Sequence, residues 1–217
     1  MILLSHNLNE STPEYANGDS LKIFPICSIS NGDSCNKMGL SLDLHTGTHV
    51  DYPRHFCNDG SSIDELDNYG IFSFSKWKLI EIEVEPCCLI NDLDFKNLEI
   101  DNEVTLLLLR TGWESKRNER ENYALNGPGL HSELAVKLRH KFPNLLAVGF
   151  DFISLTSYAH REHGRIAHKK FLCDKGLIII EDVKLADFNE SEGTIQIVPW
   201  QIQGADGVPV TIIWSKQ

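Results

Sequence analysis

The spacing of apolar and polar residues changes period several times along this chain, and each change predicts an element. Met38, Leu40, Leu42 and Leu44 alternate with Gly39, Ser41 and Asp43, the pattern of a half-buried strand that would deliver His45 at its end. Ile80, Ile82 and Val84 alternate with Glu81, Glu83 and Glu85, which predicts a second strand with one wet face. Val104 to Leu109, Leu145 to Phe150 and Leu177 to Ile180 are apolar without interruption. Runs this short fit interior strands better than helices, because a strand covered on both faces has no reason to alternate. Ile195 to Val198 and Val208 to Trp214 add two more strands. Helical spacing lies between them: Asn91 to Leu98, Ser132 to Lys141 with Leu134, Leu138 and Phe142 on one stripe, and Arg161 to Leu172. The expected architecture is α/β, with strands outnumbering helices.

Composition narrows this picture. The chain has 217 residues, 41% of them apolar, enough for one well-buried core, and no linker-like stretch divides it, so residues 1–217 read as a single domain. The formal charge of −11 argues against a nucleic-acid partner, which would call for Lys and Arg against phosphates. The segment Met1 to His6 has neither the basic start nor the apolar run of a signal peptide. No apolar stretch approaches the roughly 20 residues of a membrane span, so the expected location is the cytoplasm. The six cysteines, Cys27, Cys35, Cys57, Cys87, Cys88 and Cys173, form no Cys-x-x-Cys pair and read as small buried hydrophobes in a reducing compartment. Cys57 lies two residues from His55 and admits the alternative of a thiolate nucleophile.

The chemistry concentrates in His45-Thr46-Gly47-Thr48-His49-Val50-Asp51-Tyr52-Pro53-Arg54-His55. Neutral imidazole and carboxylate are the ligands a borderline divalent ion prefers, at about 2.0 to 2.2 Å. On a straight strand at about 3.3 Å per residue, His45 and His49 would be roughly 13 Å apart, so one ion cannot be clamped by both unless the chain bends. A helix is disfavoured by the Thr, Gly and Val content and by Pro53. That leaves a turned loop, with Gly47 at its midpoint free to take positive φ and Pro53 stiffening the segment that carries Asp51 and His55.

This run resembles the signature His-x-Gly-Thr-His-x-Asp-x-Pro-x-His of the cyclase-like metal-dependent hydrolases, the family that includes kynurenine formamidases and isatin hydrolases. The resemblance implies that His45, His49 and Asp51 bind metal, that Asp51 is able to bridge two ions, and that His55 is the proton donor and acceptor. It also implies a later histidine and glutamate, for which His168 and Glu181 are the candidates. Glu181 comes thirteen residues after His168, one more than is usual in the family, which an extra residue around Cys173 to Lys175 would absorb. His163, or else His160, is the alternative ligand. Leu106 to Trp113, Val148 to Ser154 and Ile197 to Trp200 fit the same resemblance in order. The place of the tryptophan that packs on the aromatic substrate in kynurenine formamidases falls at about Ile2, so no aromatic platform is expected there. The implied fold is the single-domain swivelling β/β/α fold of the family, commonly a homodimer or larger.

Residues near His168 also fit a solvated helix face, and Glu181 fits a wet strand end unless a cation offsets its burial. The expected function is hydrolysis of an amide bond, in a formamide or a cyclic amide, by metal-activated hydroxide with His55 as acid and base. One or two ions are expected, zinc first and manganese second, acting on a small-molecule substrate. The alternatives are a lactone or other cyclic ester as substrate, or a metal- and ligand-binding module without turnover.

Overall fold

The three uninterrupted apolar runs become the parallel centre of the main sheet, as their composition predicts. In the computed structural model, residues 1–216 are described except 17, 19, 67–69, 92–94, 96 and 98. The described strands are β1 (Ile2–Leu3), β2 (Lys22–Cys27), β3 (Lys37–Ser41), β4 (His49–Asp51), β5 (Phe72–Phe74), β6 (Trp77–Glu81), β7 (Leu89–Ile90), β8 (Leu106–Arg110), β9 (Gly129–Leu130), β10 (Ala147–Phe150), β11 (Ile178–Glu181), β12 (Thr194–Pro199) and β13 (Gly207–Ser215). The described helices are α1 (Arg120–Leu125), α2 (Leu134–Lys141) and α3 (Arg161–His168), with short 3-10 turns and one π-helical segment.

The sheet runs β5-β12-β13-β4-β11-β10-β8-β6, with β1 also paired to β13. The pairs β6·β8, β8·β10 and β10·β11 are parallel, whereas β11·β4, β4·β13, β13·β12 and β12·β5 are antiparallel. The edge strands β5 and β6 are separated only by Ser75 and Lys76, so the sheet must curl until its edges approach there.

Period two assigns each face. Leu107, Leu109, Val148, Phe150 and Ile179 point to one side, where they meet Leu134 and Leu138 of α2, Phe142 just after it, and Ala167 of α3. Leu106, Leu108, Ala147, Ile178 and Ile180 point to the other and pack against Val50, Val208, Val210 and Ile212. All of these side chains are buried.

Three expectations need correction. The Met38 to Leu44 alternation does not mark a half-buried strand that ends at His45. Strand β3 stops at Ser41 and pairs only with β2, in a two-stranded ribbon apart from the main sheet, leaving Met38 and Leu40 exposed. The rule that apolar alternation means a covered face fails where no layer lies against the ribbon. Along 77–85 the strand is displaced toward the N-terminus, Trp77 to Glu81, because its pairing with β8 sets the register. Helix 161–172 is α-helical only to His168 and continues as a π-helix over Lys169–Asp174. A π turn holds more residues than an α turn, and this one lies between His168 and Glu181. The helix expected over Asn91 to Leu98 lies largely outside the described residues.

Candidate metal centre

Strand β4 is three residues long, and its alternation does the first piece of positioning. Val50 enters the core between the sheet's strands, so His49 and Asp51 face the opposite side, toward α3. Cross-strand pairing sets Glu181 opposite His49 and Ile179 opposite Asp51 on β11. On the other flank Gly207 of β13 stands opposite Asp51. The turn before β4 brings His45 back over the strand, with Gly47 at φ +67°, the left-handed conformation a loop of this kind requires. A methyl group on Gly207 would lie 2.3 Å from His45 Cε1, so the absence of a side chain there is what admits the ring. His168 arrives as the last residue of α3.

The result is two triads that share one carboxylate. His45 Nδ1 lies 2.8 Å and His49 Nε2 3.4 Å from Asp51 Oδ1, while His168 Nε2 lies 3.8 Å from both Asp51 Oδ2 and Glu181 Oε1. His49 Nε2 is 3.3 Å from Glu181 Oε2, which links the triads a second time. Asp51 and Glu181 are 1% and 3% exposed, so neither is a wet strand end. Each imidazole also has its outer nitrogen held: His49 Nδ1 donates to the Gly47 carbonyl at 2.8 Å, His168 Nδ1 to the Gly164 carbonyl at 3.0 Å, and His45 Nε2 to Asp206 Oδ2 at 3.2 Å. That arrangement frees the inward nitrogens to give lone pairs to an ion once their protons leave, the outer-shell pattern of metal-ligating histidines.

Electrostatics agree with the ligand set. Burial works against charge on His49, yet Asp51 and Glu181 hold its pKa well above 6.5. Burial also opposes charge on His45, but hydrogen bonds to Asp206 and Asp51 carry it up to about 9. His168 is raised as well, its burial overridden by Glu181. Burial would lift the Asp51 carboxyl, but His45 and His49 hold it well below the usual carboxylate range. Glu181 is lowered too, as His168 and His49 outweigh burial and the neighbouring Asp51. Two carboxylates this close and this dry require positive charge, and protons on the imidazoles supply what a divalent ion would supply. Three imidazoles and two carboxylates therefore fit one or two divalent ions.

His55 ends a 3-10 turn begun by Pro53, and its ring stacks on that of His45 at 4.0 Å between centroids. Its Nδ1 donates to Asp206 Oδ2 at 2.8 Å. His163 is not at the centre: its Nε2 accepts the Ser132 amide 3.0 Å away and its ring lies beside His131. His160 is exposed at the start of α3. Cys57 is neither a free thiol nor a candidate nucleophile, since it is bonded to Cys173, and Cys35 is exposed. The reading of all six cysteines as unpaired buried hydrophobes is thus corrected. The bond ties the turn after His55 to the π-helical segment after His168, where Phe56 also stacks on the His168 ring at 4.4 Å.

The triads open into a cavity of about 290 Å³ whose walls include Tyr15, Phe56, Ile153, Arg161 and Arg165. Ile2 is elsewhere, paired with Trp214 on β13. Aromatic surface is present nonetheless, supplied by Tyr15 and Phe56, which sequence comparison at the N-terminus had no means to indicate. Asp206 was missed as well. Its only local signal is an acidic residue in Gly204-Ala205-Asp206-Gly207 just before an apolar strand.

A fold of this kind is shared by a solved structure of a novel cyclase, which superposes with a TM-score of 0.78 at 16% identity. Residues 2–156 match the Cyclase family model, and the chain belongs to that family. It is 29% identical over 196 residues to Cyclase-like protein 2 of Oryza sativa subsp. japonica, covering 87% of this chain and 68% of that one. It is 29% identical over 193 residues to a kynurenine formamidase of Bacillus mycoides, covering 86% and 83%. Among solved structures, isatin hydrolase A from Labrenzia aggregata superposes with a TM-score of 0.78 at 20% identity, over 97% of this chain and 91% of that one. A potential metal-dependent hydrolase with cyclase activity superposes with a TM-score of 0.75 at 22% identity, over 98% and 96%. Among the described residues no helix is long and apolar enough to cross a membrane.

Proposed function

We propose that this chain is a metal-dependent hydrolase that cleaves an amide bond, a formamide or a cyclic amide, in a small aromatic molecule. The observation that carries the reading is the pair of triads sharing Asp51, each imidazole presented with its outer N–H already bound. His45, His49 and Asp51 would hold one divalent ion, and Asp51, His168 and Glu181 a second, zinc or manganese by ligand type. Such an ion lowers the pKa of water toward 7 and polarises a carbonyl.

The chain's own residues do the rest. His55, with Nδ1–H engaged by Asp206, presents Nε2 as a base beside the centre. It accepts the proton of the attacking water as the new C–O bond forms, and returns that proton to the nitrogen as the C–N bond breaks, giving a carboxylic acid and an amine. Tyr15 and Phe56 wall the cavity with aromatic surface. The Tyr15 hydroxyl, which has no hydrogen-bond partner among the described residues, is available to a polar group of the substrate. A volume of about 290 Å³ suits a molecule of one or two rings rather than a polymer. The relatives named kynurenine formamidase and isatin hydrolase support the same bond class. The reading includes one catalytic domain over 1–217 and a cytoplasmic homodimer or larger assembly with no nucleic-acid partner.

The test is hydrolysis of N-formylkynurenine and of isatin by protein loaded in turn with zinc and manganese, with His55→Ala as control. Metal-dependent turnover that falls by about 10² to 10⁴ in the variant, with metal content unchanged, is expected. A variant that keeps more than about a third of the rate removes His55 from the reaction; no turnover of either compound by fully loaded protein excludes these amides.

A further inference from the structure

We infer that Asp206 is a positioning residue that sets the tautomer of two histidines at once through a single carboxylate oxygen. This rests on the proposed roles of His45 as ligand and His55 as proton carrier. Asp206 Oδ2 lies 2.8 Å from His55 Nδ1 and 3.2 Å from His45 Nε2, and the two rings it joins are stacked 4.0 Å apart. An ionised carboxylate only accepts hydrogen bonds, so both ring nitrogens that face it carry a proton. In the metal-loaded protein the opposite nitrogens would then be bare: Nδ1 of His45, which faces Asp51 Oδ1 at 2.8 Å across the ion's place, and Nε2 of His55. Without this anchor a neutral imidazole distributes its proton between both nitrogens, and the fraction with the wrong tautomer neither ligates nor acts as a base.

The carboxylate is well supported for that task. The Asp206 carbonyl accepts the Tyr52 amide at 2.9 Å, the Ala205 carbonyl accepts the Ile63 amide at 3.2 Å, and the Gly204 amide donates to Asp64 Oδ1 at 2.8 Å. The residue before His55's own turn is thus bonded to the residue that orients His55. Gly207, next in sequence, leaves the space His45 occupies. The side chain of Asp206 remains 40% exposed, so it is no buried structural charge, and its loss should leave the fold intact. Leu is the informative replacement, because it fills the side chain's space with no acceptor, whereas the amide oxygen of Asn could take both bonds that Oδ2 now accepts. Both ring N–H groups then lose their acceptor, and neither tautomer is held.

The experiment compares zinc-loaded wild type, Asp206→Leu and Asp206→Glu by long-range ¹⁵N–¹H correlation of the histidine rings, alongside kinetics and zinc affinity. In wild type, His55 should show a protonated Nδ1 and His45 a protonated Nε2. Asp206→Leu should shift at least one of these, lower kcat by about 10² with KM nearly unchanged, and weaken zinc binding about 10- to 100-fold, with the circular dichroism spectrum preserved. Asp206→Glu should recover part of the wild-type tautomer and rate. Wild-type His55 protonated on Nε2, or tautomers and zinc affinity that Asp206→Leu does not alter, would overturn the inference. The proposed role of His55 fails separately: if the tautomers respond to Asp206 but His55→Ala stays active, Asp206 positions the rings and His55 is not the proton carrier.

Discussion

Loading the metal-free protein with zinc should expel protons, and their number reads the ligand set directly. The inward nitrogens of His45, His49 and His168 all lie against the carboxylates of Asp51 or Glu181, and all three rings are held above their ordinary pKa by those contacts against the opposing effect of burial. Near pH 7 His45 and His49 are imidazolium, His168 holds its proton more tightly than a free imidazole does, and ligation requires all three neutral. About two protons should leave for an ion held by His45, His49 and Asp51, and more when the second triad is filled too. His45, at about 9, stops contributing as the pH passes that value. Its rise from 6.5 to about 9 corresponds to about 3 kcal/mol of stability in the metal-free protein. Because the folded-state pKa is the higher one, that stability is complete below 6.5 and is lost as the pH rises from 6.5 through 9. The metal-free melting temperature should therefore drop by about 6 to 12 °C across that window, and the loaded protein, with its ligands already neutral, should not show the drop. Titration calorimetry of zinc into metal-free protein, in two buffers of different ionisation enthalpy at pH 7, yields the proton count from the dependence of the observed heat on buffer. A count near zero, or a metal-free melting temperature flat from pH 6.5 to 9, would refute the reasoning.

Three other substitutions probe the scaffold around the centre. Cys173→Ser, or reduction of the Cys57–Cys173 bond, opens a loop spanning 116 positions, for which the chain-entropy estimate is about 4 to 5 kcal/mol; a fall of about 10 to 20 °C in melting temperature is expected, and none at all would mean the bond is not formed. Arg117 holds Asp182 through Nε at 3.0 Å and Nη2 at 2.8 Å, with the Tyr123 hydroxyl 2.6 Å from the same carboxylate, directly after Glu181 in the chain. Arg117→Met should cost about 3 to 5 kcal/mol in urea unfolding by stranding a buried charge, and adding Asp182→Asn should restore part of that. In Gly207→Ala the new methyl group would meet His45 Cε1 at 2.3 Å and the Val50 carbonyl at 2.8 Å; metal analysis should find the ion between His45, His49 and Asp51 depleted while the folded spectrum persists, and full occupancy would show that His45 is not a ligand.

What the sequence determined by itself was local. His45, His49, Asp51 and His55 are separated by a few residues, so the turn at Gly47 follows from nearby backbone preferences, whereas the reading of the whole run as a turned loop missed that His49–Asp51 is a strand, held by pairing with β11 and β13, and that Pro53–His55 is a 3-10 turn. The parallel centre was legible for a related reason, since Leu106 to Leu109 and Ile178 to Ile180 are apolar at every position and only a strand covered on both faces suits such a run. The tertiary structure decided everything that depends on which distant segments meet. Met38 and Leu40 alternate as a covered strand does, and are exposed because no layer packs on their ribbon. His168 rather than His163 joins the centre because its Nδ1 is held by the Gly164 carbonyl and the Thr156 hydroxyl, while His163 takes the Ser132 amide; five residues, about 1.4 helical turns, put the two rings on different faces of α3. Asp206 reaches His45 and His55 across separations of 161 and 151 residues, and Cys57 reaches Cys173 across 116. Neighbouring side chains are related by backbone geometry, which repeats and can be read from spacing. Contacts across the chain depend on sheet order and loop closure, to which no single stretch of residues is committed before the core assembles.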